Sequence, residues 1–448
     1  MSLMIGVSGI RGLVGETMTP PLATDMGSAF GTFLQGGHVV VGRDTRRSSP
    51  EIQQAVIQGL LSTGCRVTDL GVATTPGIGY MLGQLEAEGG VVITASHNPI
   101  EWNGIKFLEK PGSAPPAETA RKIIAVYESR RFRQAKPKAE AVVQNETTDN
   151  RHVEKVLALV PRAAISARQF RVVLDSVNGA GSRSGRALLQ ALGCEVIHIN
   201  DQATGDFAHP PEPLAENLSG LCDAVRTHGA DLGLAQDPDA DRLAVVDESG
   251  RFIGEEYTLA LAGELTFRHR PGTVVANLAT SRMIEDLAAR HPGCRVQRTP
   301  VGEAHVVQAM RRHHAVLGGE GNGGVIDPRL VYIRDSLISM ALILQLLSET
   351  EEPLSRLVEQ LPRYEMIKLK VPLPPKTIQR FLRRLRESAT EARVNYSDGV
   401  RLDWDDGWAL ARPSNTEPTV RFFAEAATRN AAEILIRRLR SAGGELRD

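Results

Sequence analysis

The chain of 448 residues is short of several things, and each shortage closes off a class of explanation. It has only four cysteines, Cys65, Cys194, Cys222 and Cys294, and none lies close in sequence to another. That spacing builds neither a disulfide framework nor a structural zinc site, so reduced thiols are expected. There is no excess of either charge: 52 Lys+Arg against 53 Asp+Glu leave a formal net charge of -1. The two signs are interspersed, which argues against nucleic acid or an anionic membrane as partner. Small anionic substrates stay open, because a local arginine cluster needs no global excess. No apolar run approaches the ~20 residues needed to span a bilayer. The N-terminus lacks a charged segment followed by an apolar one, so no export is expected, and the reading is a cytoplasmic globular protein.

What the chain does have is repetition. Its length suggests roughly two to four domains. VVVGRDTR, from Val39, leads through a helical stretch to Gly64-Cys65-Arg66-Val67. VVLDSVNG, from Val172, leads through RALLQALGCEV to Gly193-Cys194-Glu195-Val196. VVANLATS, from Val274, leads through SRMIEDLAARHPGCRV to Gly293-Cys294-Arg295-Val296. Each is a β-branched run, a turn, an amphipathic helix, a glycine stop and a second β-branched run. Such strand–helix–strand units build parallel pairing, and three of them predict three related α/β domains. Beyond Lys370 the texture changes. Pro372, Pro374 and Pro375 precede helical TIQRFLRRLRES, then strand-like GWALARP and TVRFFAEA around the turn SNTEP, then helical NAAEILIRRLRSAG. This predicts a smaller C-terminal α+β domain. The expected boundaries give domains at 1–152, 153–254, 255–370 and 371–448.

Four polar stretches can carry chemistry. In TASHNP, Thr94 to Pro99, Ser96 follows the short apolar strand Val91-Val92-Ile93, and Pro99 opposes helix there. Ser96 is thus expected just past a strand end, where open α/β sheets bind ligands. A Ser-His hydrolase would need a G-x-S-x-G elbow, and the flanks here are Thr94 and Asn98. His97 is also expected to have difficulty turning back onto its neighbour's hydroxyl. In DPDADR, Asp237, Asp239 and Asp241 alternate, so their carboxylates can converge on a hard cation such as Mg²⁺ beside a phosphate. A calcium EF-hand loop would need glycine where Arg242 stands. In GEGNGG, Gly319 to Gly324, the glycines allow close backbone approach, while Glu320 and Asn322 can read sugar hydroxyls. In RPSNTEP, Arg412 to Pro418, Arg412 can grip a phosphate bidentately, Ser414, Asn415 and Thr416 add neutral donors, and Arg421 follows closely. A solvated turn could explain any one of these. Together they supply a phosphorylatable nucleophile, a cation site, a hydroxyl reader and a phosphate clamp, one per expected domain.

TASHNP, DPDADR, GEGNGG and RPSNTEP in this order, with SGIRG from Ser8, GRDTR from Gly42 and PEPLAENL from Pro211, resemble the α-D-phosphohexomutases over essentially the whole chain. That superfamily comprises phosphoglucomutases, phosphomannomutases and phosphoglucosamine mutases. The resemblance implies three α/β domains with mixed sheets and a C-terminal α+β domain around a central cleft. It implies Ser96 as a phosphoserine that exchanges its phosphoryl group with a hexose phosphate through a bound hexose 1,6-bisphosphate, which also acts as activator. Asp237, Asp239 and Asp241 would hold Mg²⁺, with a phosphate oxygen on Ser96 completing the site. Arg242 would add positive charge near the phosphoserine and bind substrate. Arg11 and Lys106 match positions close to the phosphoserine; Lys106 could move a proton and Arg11 would stabilise charge. His97 accompanies the serine and supports the loop. Many bacterial members carry Ser and a terminal His in the sugar loop, where this chain has Asn322 and Gly324. A proton-transfer histidine of some phosphomannomutases also has no counterpart, and PVGEAHV offers Glu303 nearby. The GEGNGG form looks like a branch assigned as phosphoglucosamine mutase, which makes glucosamine phosphate the expected substrate. Mannose or glucose phosphate is the alternative; a sugar phosphatase or a non-catalytic phosphosugar-binding protein are rival classes. The expected partner is a phosphorylated hexose, with no nucleic acid or membrane, on a monomer or homodimer.

Overall fold

A computed structural model describes residues 3–6, 9–136, 141–388, 392–414 and 419–443. Each of the three repeated sequence patterns becomes the same four-strand arrangement. In the first, strand His38–Arg43 leads through helix Ser49–Ser62 to the parallel strand Arg66–Val72. Strand Gly89–Ile93 then joins parallel on the other side of His38–Arg43, and Trp102–Glu109 returns antiparallel beside it. The second repeats this with Arg171–Asp175, helix Ser182–Ala191, Glu195–Ile199, Leu232–Gln236 and Leu243–Asp247. The third repeats it with Thr273–Asn277, helix Met283–Ala289, Arg295–Thr299, Leu317–Glu320 and Gly324–Ile326. Each sheet is mixed because its last strand returns through a hairpin instead of a crossover.

Local chemistry explains the repeat. Val39, Val40, Val41, Val172, Val173, Val274 and Val275 are fully buried, as central strands covered by helices on both faces require. Gly64 and Gly193 directly follow the helix caps Thr63 and Leu192 with φ of 83° and 81°, a left-handed stop that glycine adopts without a Cβ penalty. The first sheet is widened to seven strands. The pair Met4–Gly6 and Gly9–Leu13 lies on its Trp102–Glu109 edge, with Arg11 opposite Gly104, and Val142–Gln144 forms the other edge.

Three of the four polar stretches occupy one topological position. TASHNP joins Gly89–Ile93 to Trp102–Glu109, DPDADR joins Leu232–Gln236 to Leu243–Asp247, and GEGNGG is the tip between Leu317–Glu320 and Gly324–Ile326. Each is the hairpin tip of its own unit. One continuous apolar core runs through all three units, taking in Ile78, Met81, Leu174, Leu234, Leu261, Leu342 and Ile343. The C-terminal part has a separate core built on Phe381, Leu385, Phe422 and Leu439. Its five-stranded antiparallel sheet begins at strand Glu365–Pro372, which pairs with Thr419–Ala426; Gly407–Pro413 lies on the other side. Among the described residues, no helix is long and apolar enough to cross a membrane. All four cysteines are unpaired; Cys65 and Cys194 are buried, Cys222 and Cys294 half-buried.

Candidate active site

Ser96 is 1 % exposed and sits at φ 51°, a left-handed conformation uncommon for serine. The backbone is held there from beneath by Arg46. Its Nη2 donates to the carbonyls of Ser96 and Asn98, both at 2.6 Å, and its Nη1 to those of Pro99 at 2.6 Å and Trp102 at 3.0 Å. Nε donates to Asp44 at 3.0 Å, so the buried guanidinium is used on every side. Asp44 also accepts from the hydroxyls of Thr94 and Ser49, and Thr94 Oγ1 accepts from the Ser96 amide at 2.9 Å. The Phe207 ring from the second unit covers Arg46, 4.9 Å from ring centroid to guanidinium carbon.

This backbone turn delivers the Ser96 hydroxyl to the second unit's hairpin. Oγ donates to Asp237 Oδ2 at 3.0 Å and lies 3.3 Å from His97 Nδ1. The second contact corrects the expectation that His97 would have difficulty turning back onto its neighbour's hydroxyl; the two meet across the left-handed Ser96 turn. Burial, aided by Arg242 and Arg11, holds His97 well below its usual pKa.

Asp237, Asp239 and Asp241 are buried, and one oxygen from each lies within 4.8 Å of the others. The left-handed Ala240, at φ 55°, curls the loop so that Asp237 Oδ1 accepts from the amides of Asp241 and Arg242, each at 3.1 Å. Asp239 Oδ2 accepts from Lys106 Nζ and Thr75 Oγ1, both at 2.6 Å. Burial and the two neighbouring aspartates push the Asp237 carboxyl well up. Burial pushes Asp239 up too, but Lys106, Thr75 and Arg334 outweigh it and bring that carboxyl below its usual range. Asp239 Oδ1 and Asp241 Oδ1 are buried without a hydrogen-bond partner. Orphaned hard oxygens beside a third carboxylate fit a divalent cation, and the triad can hold a metal. Arg242 lies 3.8 Å from Asp241 and 3.7 Å from Glu212. Arg11 donates to Asn98 Oδ1 at 2.6 Å, at the edge of the serine loop.

At the third tip, Glu320 is 6 % exposed, with Oε1 accepting from Asn277 at 2.8 Å and Oε2 from Arg334 at 2.8 Å. Asn322 Oδ1 is buried without a partner. Gly321 packs directly on the Glu256 carboxylate, which a Cβ at 321 would meet at 1.8 Å and have to displace. Glu303 opens helix Glu303–His313 and bonds Arg334, and burial raises its carboxyl pKa.

In the C-terminal domain Arg412 is 4 % exposed and donates from Nε to Asp398 at 2.8 Å. It stands directly opposite Arg421, which is in turn opposite Lys370 on the next strand. Three cations in cross-strand register repel one another unless an anion lies among them. Arg421 Nε is buried with no hydrogen-bond partner. Lys368 shares the face of Lys370 and reaches Glu255 at 2.5 Å, Glu256 at 3.2 Å and the Gly321 carbonyl at 3.4 Å. This cationic face therefore looks toward the sugar loop. Ser414 is described at the end of the strand; Asn415 and Thr416 lie outside the described residues.

Ser96, His97, Lys106, Arg11 and the aspartates thus converge on one spot, with Arg242 at its rim and Glu320 joined to it through Arg334. Sequence reasoning missed Arg334, Lys370 and the part played by Arg46. GRDTR was noticed as a motif, but nothing in it says that Arg46 binds carbonyls 50 residues or more away in sequence.

Comparison with known proteins places the whole chain. Models of the phosphoglucomutase/phosphomannomutase family match in succession: alpha/beta/alpha domain I over residues 2–134, domain II over 150–250, domain III over 254–364 and the C-terminal domain over 366–441. A "Phosphoglucomutase/phosphomannomutase" of Thermococcus kodakarensis is 40% identical over 441 residues, covering 96% of each chain. A "Probable phosphoglucosamine mutase" of Methanopyrus kandleri is also 40% identical, covering 97% of this chain and 96% of its own. The crystal structure of a phosphoglucomutase/phosphomannomutase family protein from Burkholderia thailandensis superposes with a TM-score of 0.88 at 28% identity, covering 99% of this chain and 98% of that one.

Proposed function

The chain belongs to the phosphoglucomutase/phosphomannomutase family and is a phosphohexomutase, and on that premise we propose that it interconverts glucosamine 6-phosphate and glucosamine 1-phosphate through phosphorylated Ser96. The observation that carries the reading is the Ser96 hydroxyl 3.0 Å from Asp237, inside a buried carboxylate triad with two orphaned oxygens. The Oγ–phosphorus bond breaks as a free sugar hydroxyl attacks, giving a hexose 1,6-bisphosphate and an unmodified serine. The bisphosphate turns over within the cleft, and its other phosphate returns to Oγ. A bisphosphorylated hexose is accordingly needed to prime protein whose Ser96 carries no phosphate.

Asp237, Asp239 and Asp241 would hold Mg²⁺, which when bound offsets charge on the transferring phosphoryl group. The remaining work falls to the chain's own groups. Arg46 keeps Oγ pointed at the triad. Lys106, held by Asp239, is placed to move a proton at the transferred group, and His97 lies beside Oγ and supports the loop. Arg11 and Arg242 add fixed positive charge around the transferred group. Glu320 and Asn322 read sugar hydroxyls, the orphaned Asn322 Oδ1 being one acceptor that a hydroxyl would satisfy. Arg412, Arg421 and Lys370, with Ser414, Asn415 and Thr416, grip the phosphate that is not reacting.

The Methanopyrus relative's name and the GEGNGG tip support glucosamine; the Thermococcus relative's name supports mannose or glucose phosphate as the second reading. Intact-mass analysis for phosphate on Ser96, then isomerisation assays on all three 6-phosphates, separates them. Isomerisation without free phosphate is expected. Steady release of phosphate would point to a phosphatase, and full isomerase activity in Ser96→Ala would overturn the mechanism.

A further inference from the structure

Arg334 belongs to none of the four polar stretches, yet it touches two of them. Its Nη2 donates to Asp241 Oδ2 at 2.6 Å, its Nη1 to Glu320 Oε2 at 2.8 Å and its Nε to Glu303 Oε2 at 3.0 Å. The three acceptors come from the cation loop, the sugar-loop tip and the first turn of helix Glu303–His313. A planar guanidinium fixes the angles between its partners as well as the distances, which a lysine ammonium does not.

Two observations separate this from ordinary ion pairing. Arg334 takes one oxygen of Asp241 and leaves Oδ1, the buried atom without a hydrogen-bond partner, available to a cation. It also dictates the sugar loop's sequence: a Cβ on Gly324 would fall 2.2 Å from Arg334 Cδ, so the arm crosses where a side chain at 324 would lie. The root of the arm is fixed to the cation loop. Ser336 donates to the Ala240 carbonyl from its amide at 3.1 Å and its hydroxyl at 2.8 Å. Asp335 caps helix Ser336–Thr350 and pairs with buried His152 at 2.6 Å.

We propose that Arg334 is a positioning residue that locks the sugar-reading tip to the cation loop, orienting Glu320 and Asp241 together, and that residue 324 is glycine so that its arm can pass. The inference rests on the roles given above to Asp241 and Glu320. It makes sugar recognition and cation binding depend on one side chain that touches neither substrate nor ion. A metal ligand's outer partner of this kind is worth about 10–100-fold in metal affinity.

The test uses full-length protein, Mn²⁺ followed by electron paramagnetic resonance as the cation probe, and glucosamine 6-phosphate turnover. Arg334→Gln is expected to raise KM more than about tenfold and to weaken Mn²⁺ binding about tenfold. Adding Glu320→Gln to it should raise KM by less than about threefold more, because the two already act as a unit. Arg334→Lys should recover Mn²⁺ binding more than KM, since charge returns without the fork. Gly324→Ala, which leaves every charge in place, should reproduce the KM defect. Arg334→Gln within about twofold of wild type in both measures, or effects fully additive with Glu320→Gln, overturns the proposal. If wild type neither isomerises a hexose phosphate nor loses Mn²⁺ on Asp239→Asn, the functional reading falls and takes this inference with it. Normal wild-type behaviour with indifferent Arg334 variants sinks the inference alone.

Discussion

The three-unit block and the C-terminal domain hold their polar groups in opposite ways, on hairpin tips in the one and on strands in the other. In the block, the serine, cation and sugar loops stand on one shared apolar core, and each is braced by buried charge: Arg46 under Ser96, Lys106 on Asp239, Arg334 on Glu320. The C-terminal domain packs its own core and meets the block through separate contacts. Glu425, held within its own domain by Trp408 Nε1 at 2.7 Å, accepts from the Arg282 amide of the block at 2.9 Å, the Val301 amide donates to Asp398 at 3.0 Å, and Lys368 holds Glu255. The serine, cation and sugar loops thus share one continuous core, while the proposed phosphate grip stands on a unit with a core of its own. That division suits the proposed turnover, in which the bisphosphate turns between two phosphoryl transfers.

Substitutions on the two sides should separate chemistry from grip. The largest effect is expected inside the block: Asp237→Asn should lower kcat about a thousandfold with KM little changed, measured by steady-state isomerisation. Arg46→Met should come next, with kcat down about a hundredfold and Tm lower by several degrees, because four loop carbonyls and Asp44 lose their buried donor. A calorimetric scan matching wild type would show that the loop stands without it. On the other side, Arg412→Ala should raise KM about tenfold with kcat within about threefold, the reverse pattern. Equal losses in both constants would erase the proposed division.

The smallest effect concerns the interface and depends on pH. Burial pushes the Glu256 carboxyl up to about 7, even though Lys368 at 3.2 Å pulls it down. The folded chain therefore keeps a proton that the unfolded chain has released above its ordinary value of 4.5. Stability falls as pH rises from there to about 7 and levels off beyond it. Between roughly pH 5 and 7.5, wild-type Tm should drop a few degrees more than that of Glu256→Gln, whose amide does not titrate. Parallel melting curves would assign the contact no such role.

How much of this was legible in the sequence follows from how local each feature is. The repeated units were readable because β-branched runs, an amphipathic helix and a glycine stop are local signals, and the hairpin tips announced themselves as polar residues at strand ends. The aspartate triad was readable because alternate positions in one loop already bring its members together. Arg334 was not, since its partners lie at 241, 303 and 320 and meet only when two units dock. Gly324 looked like a missing side chain; it is space for another residue's stem. The cationic row of Lys370, Arg421 and Arg412 required strand register, which composition does not supply.

The left-handed turn at Ser96 carries a last consequence, for what selection must maintain. At φ 51° a glycine or asparagine would rest more easily than serine does. Ser96→Gly is therefore expected to melt higher than wild type while losing the hydroxyl proposed to carry the phosphate. Drift toward a sturdier fold runs directly against activity at this one position, so a thermostability screen blind to turnover would tend to select the dead enzyme.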